Sequence, residues 1–129
     1  MATNFPSLVS ATTKIDSLYR STPDKGTSDR IADQAMKDLL DAQSAILHAG
    51  LATQDEENAM AEFYYQRARL GEYSARFYPG VREVLGMTWL ATAKGDYEEA
   101  VKRSKEGRKS KLSYYEAELA AFLRRYPNA

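Results

Sequence analysis

The sequence predicts an all-α protein, a single-domain helical bundle of five to six helices built from antiparallel αα-hairpins. Apolar residues recur at alternating spacings of three and four, which places them on one face of an α-helix. Residues that favour helix ends separate these patterns. Four prolines and seven glycines in 129 residues are too few for a fold rich in tight turns.

The chain has the length of one domain, and three parts can be distinguished within it. Residues 1–26 form a short helix, from about Pro6 to Tyr19, followed by a loop. Residues 27–78 form a capped helical hairpin. Residues 79–129 form a C-terminal helical hairpin that contains a basic segment.

The first helix of the capped hairpin is expected to begin at Thr27, Ser28 or Asp29 and to run to about Ala49. Gly50 suits the left-handed position that ends many helices. An alanine-rich stripe follows a strict 3-4-3-4-3 spacing and consists of Ala32, Ala35, Leu39, Ala42, Ile46 and Ala49. Met36, Leu40 and Leu47 widen the stripe on one flank. A stripe of small residues predicts close packing, either within the chain or between copies.

The motif GLATQDEE predicts the turn of this hairpin. Thr53 and Glu56 have the spacing of a capping box, so a second helix is expected to begin at Thr53. It should end near Phe77 or Tyr78, because Pro79 follows. The acidic residues 55–57 lie in the first turn, where the helix dipole favours negative charge, and this explains them better than a metal site does.

A further helix is expected before Gly95, and Trp89 on it is predicted to be a core residue. Asp96 and Glu99 have the spacing of a cap and its partner. The segment AKGDYEEAV, residues 93–101, resembles the turn between the two helices of a tetratricopeptide unit. No second copy follows at a spacing near 34, so we predict an αα-hairpin with the same local chemistry.

Residues 97–126 allow either one long helix or two. Tyr97, Ala100 and Val101 form one apolar face. A second face follows 3-4-3-4 spacing and consists of Leu112, Tyr115, Leu119, Phe122 and Tyr126. Ser113 and Glu116 have the spacing of a capping box, which favours a break near Gly107 and a new helix beginning at Ser110 or Ser113. Gly107 alone costs only about 1 kcal/mol within a helix and does not require the break.

Composition excludes several classes of protein. The chain contains no cysteine, which excludes disulfides, thiolate metal sites and cysteine nucleophiles. No apolar run is long enough to cross a bilayer, and the N-terminal residues lack the features of a signal peptide. We therefore expect no membrane partner and a protein located in the cytoplasm or within a cytoplasmically assembled particle.

Signatures of catalysis are mostly missing, and we predict that the protein is not an enzyme. No phosphate-binding glycine loop, nucleophile elbow or paired metal-binding motif occurs. The single histidine, His48, falls in a last helical turn, where it is expected to be structural. Only a mechanism based on Arg67, Glu72 and Arg82 is conceivable. We expect no cofactor and no metal.

The candidate functional residues are instead those that suit contact with a partner. The basic segment, residues 102–111, carries Lys102, Arg103, Lys105, Arg108, Lys109 and Lys111. Tyrosine and arginine are enriched at interfaces, so Tyr65, Arg69, Tyr73 and Arg76 are added as candidate contacts. The predicted function is a non-catalytic interaction or assembly subunit that docks into a larger protein complex of virion, secretion or ribonucleoprotein type.

A small helical RNA- or DNA-binding subunit is the alternative, because six bases within ten residues would neutralise several phosphates. The net charge of zero opposes it. Residues 28–62 carry two basic and eight acidic residues, a net charge of −6. The basic segment of one copy could therefore meet this acidic block of another copy head to tail, which favours a protein partner or a homo-oligomer.

Overall fold

The protein is described here by a computed structural model, which covers residues 5–77 and 88–129. Five α-helices occur in these ranges: α1 (Pro6–Ser21), α2 (Lys25–His48), α3 (Thr53–Ser74), α4 (Trp89–Glu106) and α5 (Leu112–Arg125). The predicted all-α fold is confirmed. None of the helices in the described ranges has the length and apolar character needed to cross a membrane.

Helix α3 lies between two hydrophobic clusters. The first cluster joins it to α1 and α2 and contains Phe5, Leu8, Ala11, Ile15, Leu18, Ala35, Leu39, Ala42, Ile46, Met60, Phe63, Leu70 and Tyr73. The second joins it to α4 and α5 and contains Ala61, Tyr65, Ala68, Ala93, Tyr97, Ala100, Val101, Tyr115 and Phe122. Since α3 contributes to both, it is the common element of the bundle.

The alanine-rich stripe of α2 is buried as predicted over its central part. Ala35, Leu39, Ala42 and Ile46 are fully buried. Helix α2 packs mainly against α1 and less extensively against α3, the other helix of the predicted hairpin. The ends of the stripe are less enclosed: Ala32 is half-buried and Ala49 is exposed.

Helix α2 begins earlier than the sequence predicted. Its N-cap is Asp24, whose Oδ1 accepts a hydrogen bond from the Thr27 backbone nitrogen at 2.8 Å. Ser28, predicted as a possible cap, is instead buried, and its hydroxyl bonds to Tyr73 Oη at 2.9 Å. The C-terminal prediction is confirmed, since Gly50 has φ of +68°.

Helix α3 begins at the predicted residue, but the predicted capping box does not form. Ala52 is the N-cap, no side chain caps the helix, and Thr53 is its first residue. The helix ends at Ser74, three or four residues before the predicted end.

The predicted turn at Gly95 is wrong. Helix α4 runs through Gly95 without a break, and Asp96 is buried rather than capping a helix. Asp96 accepts two hydrogen bonds from Arg67 of α3, both at 2.9 Å. This tertiary ion pair overrides the local turn chemistry, so the resemblance to a tetratricopeptide turn does not extend to the structure.

The predicted break near Gly107 is confirmed. Helix α4 ends at Glu106 and α5 begins at Leu112, so Ser113 lies inside α5 and is not its cap. A Cβ atom at Gly107 would lie 2.8 Å from Asn58 Oδ1 and 3.1 Å from Gln54 O. Only glycine allows the loop to approach the start of α3 so closely.

The region around Trp89 departs from prediction in part. The helix expected after Pro79 falls largely on residues 78–87, which lie outside the described ranges. Trp89 itself is the first residue of α4 and is half-buried. It belongs to neither hydrophobic cluster, so its assignment to the core is not supported.

We predict that Ala42→Phe destabilises the protein by about 1–3 kcal/mol, because a large ring must be forced into a fully buried, close-packed position. Ala45→Phe, on the exposed side of the same helix, provides the matched control for helix propensity. Urea unfolding measures both free energies. Equal stability of the two variants would contradict the packing described for α2.

Candidate functional site

The basic segment runs from the last turns of α4 through a short loop to the start of α5. Asn58 of α3 holds this loop, because its Oδ1 accepts from the Arg108 backbone nitrogen at 3.1 Å and its Nδ2 donates to Ser110 Oγ at 3.2 Å. Lys109 adopts a left-handed conformation with φ of +61°. The loop is therefore fastened to the acidic N-terminal part of α3.

Three of the six bases are paired with acids of this same chain. Arg103 lies between Glu57 of α3, at 3.2 Å, and Glu99 of α4, at 2.7 Å. Arg108 pairs with Asp55. Lys111 is the third paired base, and its Nζ donates to Glu62 Oε1 at 2.9 Å.

These ion pairs also shift the pKa values of the groups that form them. The hydrogen bond from Arg108 lowers the pKa of Asp55 below its usual value. The hydrogen bond to Glu99 raises the pKa of Arg103. Three acids of the block 28–62, namely Asp55, Glu57 and Glu62, are thus paired with the basic segment of their own chain.

The other three bases are differently placed. Lys102, Lys105 and Lys109 are exposed, and none of them forms an ion pair with the residues described here. Glu98, Glu99 and Glu106 accompany Lys102 and Lys105 on α4. That helix therefore carries charges of both signs, as is typical of a solvated helix.

The two candidate tyrosines lie in the interior. Tyr65 is 3% exposed and donates to Glu118 Oε1 at 2.7 Å. Tyr73 is 1% exposed and bonds to Ser28. Neither ring is therefore exposed on the surface of the folded chain. Periodicity did not reveal this, because α3 is apolar on two sides.

The two candidate arginines, Arg69 on α3 and Arg76 just after its end, lie against aromatic rings. Arg69 donates to Asp16 Oδ1 at 2.8 Å, and its guanidinium lies 5.1 Å from the Tyr19 ring centroid. Arg76 is exposed and lies 4.7 Å from the Tyr73 ring centroid. Of these four candidates, Arg76 is the one whose side chain is exposed.

Glu72 and Arg67, considered for catalysis, occupy ion pairs between helices. Glu72 is buried, accepts from Tyr97 Oη at 2.7 Å and receives two bonds from Arg125, at 2.8 and 2.9 Å. Arg67 donates to Asp96. Burial raises the pKa of Asp96, because its effect is larger than the lowering caused by Arg67. Arg82, the third member of that set, lies outside the described residues.

A groove of about 470 Å³ opens beside Arg125. Its lining consists of Ala75, Thr88, Trp89, Leu90, Ala91, Arg125, Tyr126, Pro127, Asn128 and Ala129. His48 lies elsewhere, at the end of α2, where its Nδ1 bonds to Ser44 O at 2.7 Å. Among residues 5–77 and 88–129, no cluster of three or more acidic or histidine side chains is placed to hold a metal ion.

Two arrangements in the structure were not predicted from the sequence. One is the exposure of Leu40 and Leu47 on α2, which were expected to widen the apolar stripe but are each 52% exposed. The other is the group of three tyrosine rings around Lys111. The first had a signal in the spacing of seven residues, whereas the second joins residues about fifty positions apart.

Comparison with protein-family models, with curated proteins and with solved structures finds no match to this chain.

We predict that Arg103→Met costs about 1–3 kcal/mol of stability, because Glu57 would lose its partner and its Oε2 is already buried without a hydrogen bond among the described residues. Lys102→Met, the adjacent exposed base, should change stability by less than about 0.5 kcal/mol. Urea unfolding at pH 7 distinguishes them. A loss at Lys102 as large as that at Arg103 would contradict the division of the segment into paired and unpaired bases.

Proposed function

We propose that the protein is a non-catalytic interaction subunit that docks into a larger protein complex through the outer flank of α2. We define this α2 flank as Met36, Leu40 and Leu47. The partner is either another protein or a further copy of this chain. The whole chain acts in this proposal as one domain of antiparallel hairpins, in the cytoplasm or in a virion, secretion or ribonucleoprotein particle assembled there.

The observation that carries the proposal is the exposure of two leucines in line. Leu40 and Leu47 are each 52% exposed and lie seven residues apart, about 10 Å along the helix axis. Single exposed apolar residues are ordinary on protein surfaces. Two of them two turns apart resemble the anchors by which one amphipathic helix enters the groove of another protein.

The α2 flank is also held rigidly. Leu39 and Ile46, next to the exposed leucines in the sequence, are fully buried in the first cluster. Met36 packs against the same cluster. On the side facing α1, Asp38 accepts from Ser10 at 2.7 Å and pairs with Lys14. A surface fixed in this way loses little conformational freedom on binding.

The buried acids support a role without catalysis. Glu72 and Asp96 each lie in a two-point hydrogen-bonded pair with an arginine. Such pairs link α3 to α5 and to α4, and a structural function accounts for each of them.

Nucleic acid remains the alternative partner, and the three unpaired lysines are what favours it. Each phosphate contact on duplex DNA contributes about 0.9 to the slope of log affinity against log salt. Lys102, Lys105 and Lys109 would together give a slope of about −2.7, half of that expected from all six bases. Binding at this level belongs to the weak non-specific range, so the ion pairs of the basic segment favour a protein partner.

Native mass spectrometry of the protein isolated from the cells that produce it tests the proposal. We expect a complex heavier than the 14.5 kDa chain. The double variant Leu40→Asp, Leu47→Asp should dissociate from that complex, because charge at both anchors prevents their burial. Val9→Asp is the matched control, since Val9 is 51% exposed and belongs to α1, not to the α2 flank.

Added duplex DNA serves as the competing arm of the same experiment. The proposal expects DNA to leave the complex intact. A chain that is monomeric in every preparation, or a complex that survives the double aspartate variant, would contradict it. A complex released by DNA and unaffected by the leucine variants would favour the alternative.

A further inference from the structure

Lys111 places its ammonium group over three tyrosine rings at once. Its Nζ lies 5.9 Å from the ring centroid of Tyr65, 5.1 Å from that of Tyr114 and 5.3 Å from that of Tyr115. The ring centroids themselves lie 5.3 to 6.0 Å apart. We call these three rings, together with Glu62, the tyrosine cup.

From this geometry we propose that the tyrosine cup is a binding site for an organic ammonium group, and that Lys111 is its internal competitor. Ring faces attract cations within about 6 Å, so all three rings are in range of the bound charge. Glu62 Oε1 accepts directly from the ammonium at 2.9 Å and provides the opposing negative charge.

The cup is fixed by contacts that do not involve Lys111. Tyr65 and Tyr115 are both buried. Tyr65 Oη donates to Glu118 at 2.7 Å and lies 2.7 Å from Tyr114 Oη, which must therefore donate to it. Tyr115 Oη donates to Glu62. Withdrawal of Lys111 would therefore leave the rings and the carboxylate in place for another cation.

Lys111 itself is held loosely. Its side chain is 49% exposed, and it stands at the start of α5, directly after the loop. Half-exposed ion pairs of this kind contribute about 0–1 kcal/mol, so its displacement costs little. A space of about 200 Å³ adjoins the cup and is lined by Asn58, Glu62, Ser110, Lys111 and Tyr115.

The geometry favours a compact ammonium over a planar guanidinium. The bound charge is nearly equidistant from three rings that meet one another edge-on or tilted. A small, nearly spherical cation satisfies all three, whereas a guanidinium stacks on one face. Such an ammonium has two sources, a free small molecule or the lysine side chain of another protein.

The proposal is independent of the docking role of α2 and is tested on the full chain. Tetramethylammonium chloride is titrated while ring resonances of ¹³C-labelled tyrosine are followed by NMR. Sodium chloride at equal ionic strength controls for salt, and tert-butyl alcohol controls for apolar binding. A trimethyllysine tripeptide with blocked termini distinguishes the sources, since tighter binding of the peptide indicates a protein side chain and equal binding a free cation.

We expect saturable shifts on Tyr65, Tyr114 and Tyr115 with tetramethylammonium or with the peptide. Lys111→Ala should tighten binding about fivefold, the effect of removing a competitor that fills the cup about four-fifths of the time. Adding Glu62→Gln to that variant should weaken binding about fivefold, through loss of the charge pair. Lys109→Ala, a neighbouring exposed lysine, should bind as the unaltered chain does.

Three results would overturn the proposal. The first is an absence of saturable shifts on the three tyrosines with both probes. The second is a Lys111→Ala variant that binds no more tightly than the unaltered chain while its circular dichroism is unchanged. The third is equal binding of tert-butyl alcohol, which would identify an apolar hole instead of a cation site.

Discussion

The fold depends on α3, which is largely buried because it packs into both hydrophobic clusters. Phe63, Leu70 and Tyr73 of α3 pack into one cluster, and Tyr65 and Ala68 pack into the other. Polar side chains on such a helix must find partners within the protein, because a buried polar group without one is costly. The ion pairs and phenol hydrogen bonds of the molecule meet this requirement.

Three ion pairs join α3 to three different helices. Arg69 bonds to Asp16 of α1, and Arg67 bonds to Asp96 of α4. Glu72 receives Arg125 of α5. The acidic start of α3 then fastens the basic segment, as in the pair of Glu57 with Arg103. Within the described ranges, charge therefore serves mainly to position helices, while Leu40, Leu47 and the unpaired lysines remain exposed.

The spacing of apolar residues along the chain was sufficient to predict much of the fold. The central stripe of α2 was predictable because one face of that helix is buried, so its spacing directly reports burial. Gly50 was predictable as a helix end, whereas the break near Gly107 was one of two alternatives that the sequence left open. The start of α2 was missed because several residues near Asp24 can cap a helix, and the choice depends on Ser28 reaching Tyr73, 45 residues away.

Long-range pairing explains what could not be predicted. Gly95 looked like a turn residue, but Ala93 and Asp96 on either side of it are buried. Helices α3 and α4 also approach each other closely here, since a Cβ atom at Gly71 of α3 would lie 3.6 Å from Ala93 Cβ of α4. Tyr65 and Tyr73 looked like surface contacts because both faces of α3 are apolar. The pairing of Arg103, Arg108 and Lys111 joins positions 46 to 53 residues apart, which spacing along the chain does not encode.

The central claim is that α3 couples the two clusters into one cooperative unit. Native-state hydrogen exchange at increasing urea concentrations measures this most directly, because it gives the free energy of opening for the amides of each helix. We expect the slowest amides of α2, α3 and α4 to converge on one common free energy of opening. Slow amides of α4 that exchange through a separate, lower-energy opening while α1 and α2 remain protected would contradict the account.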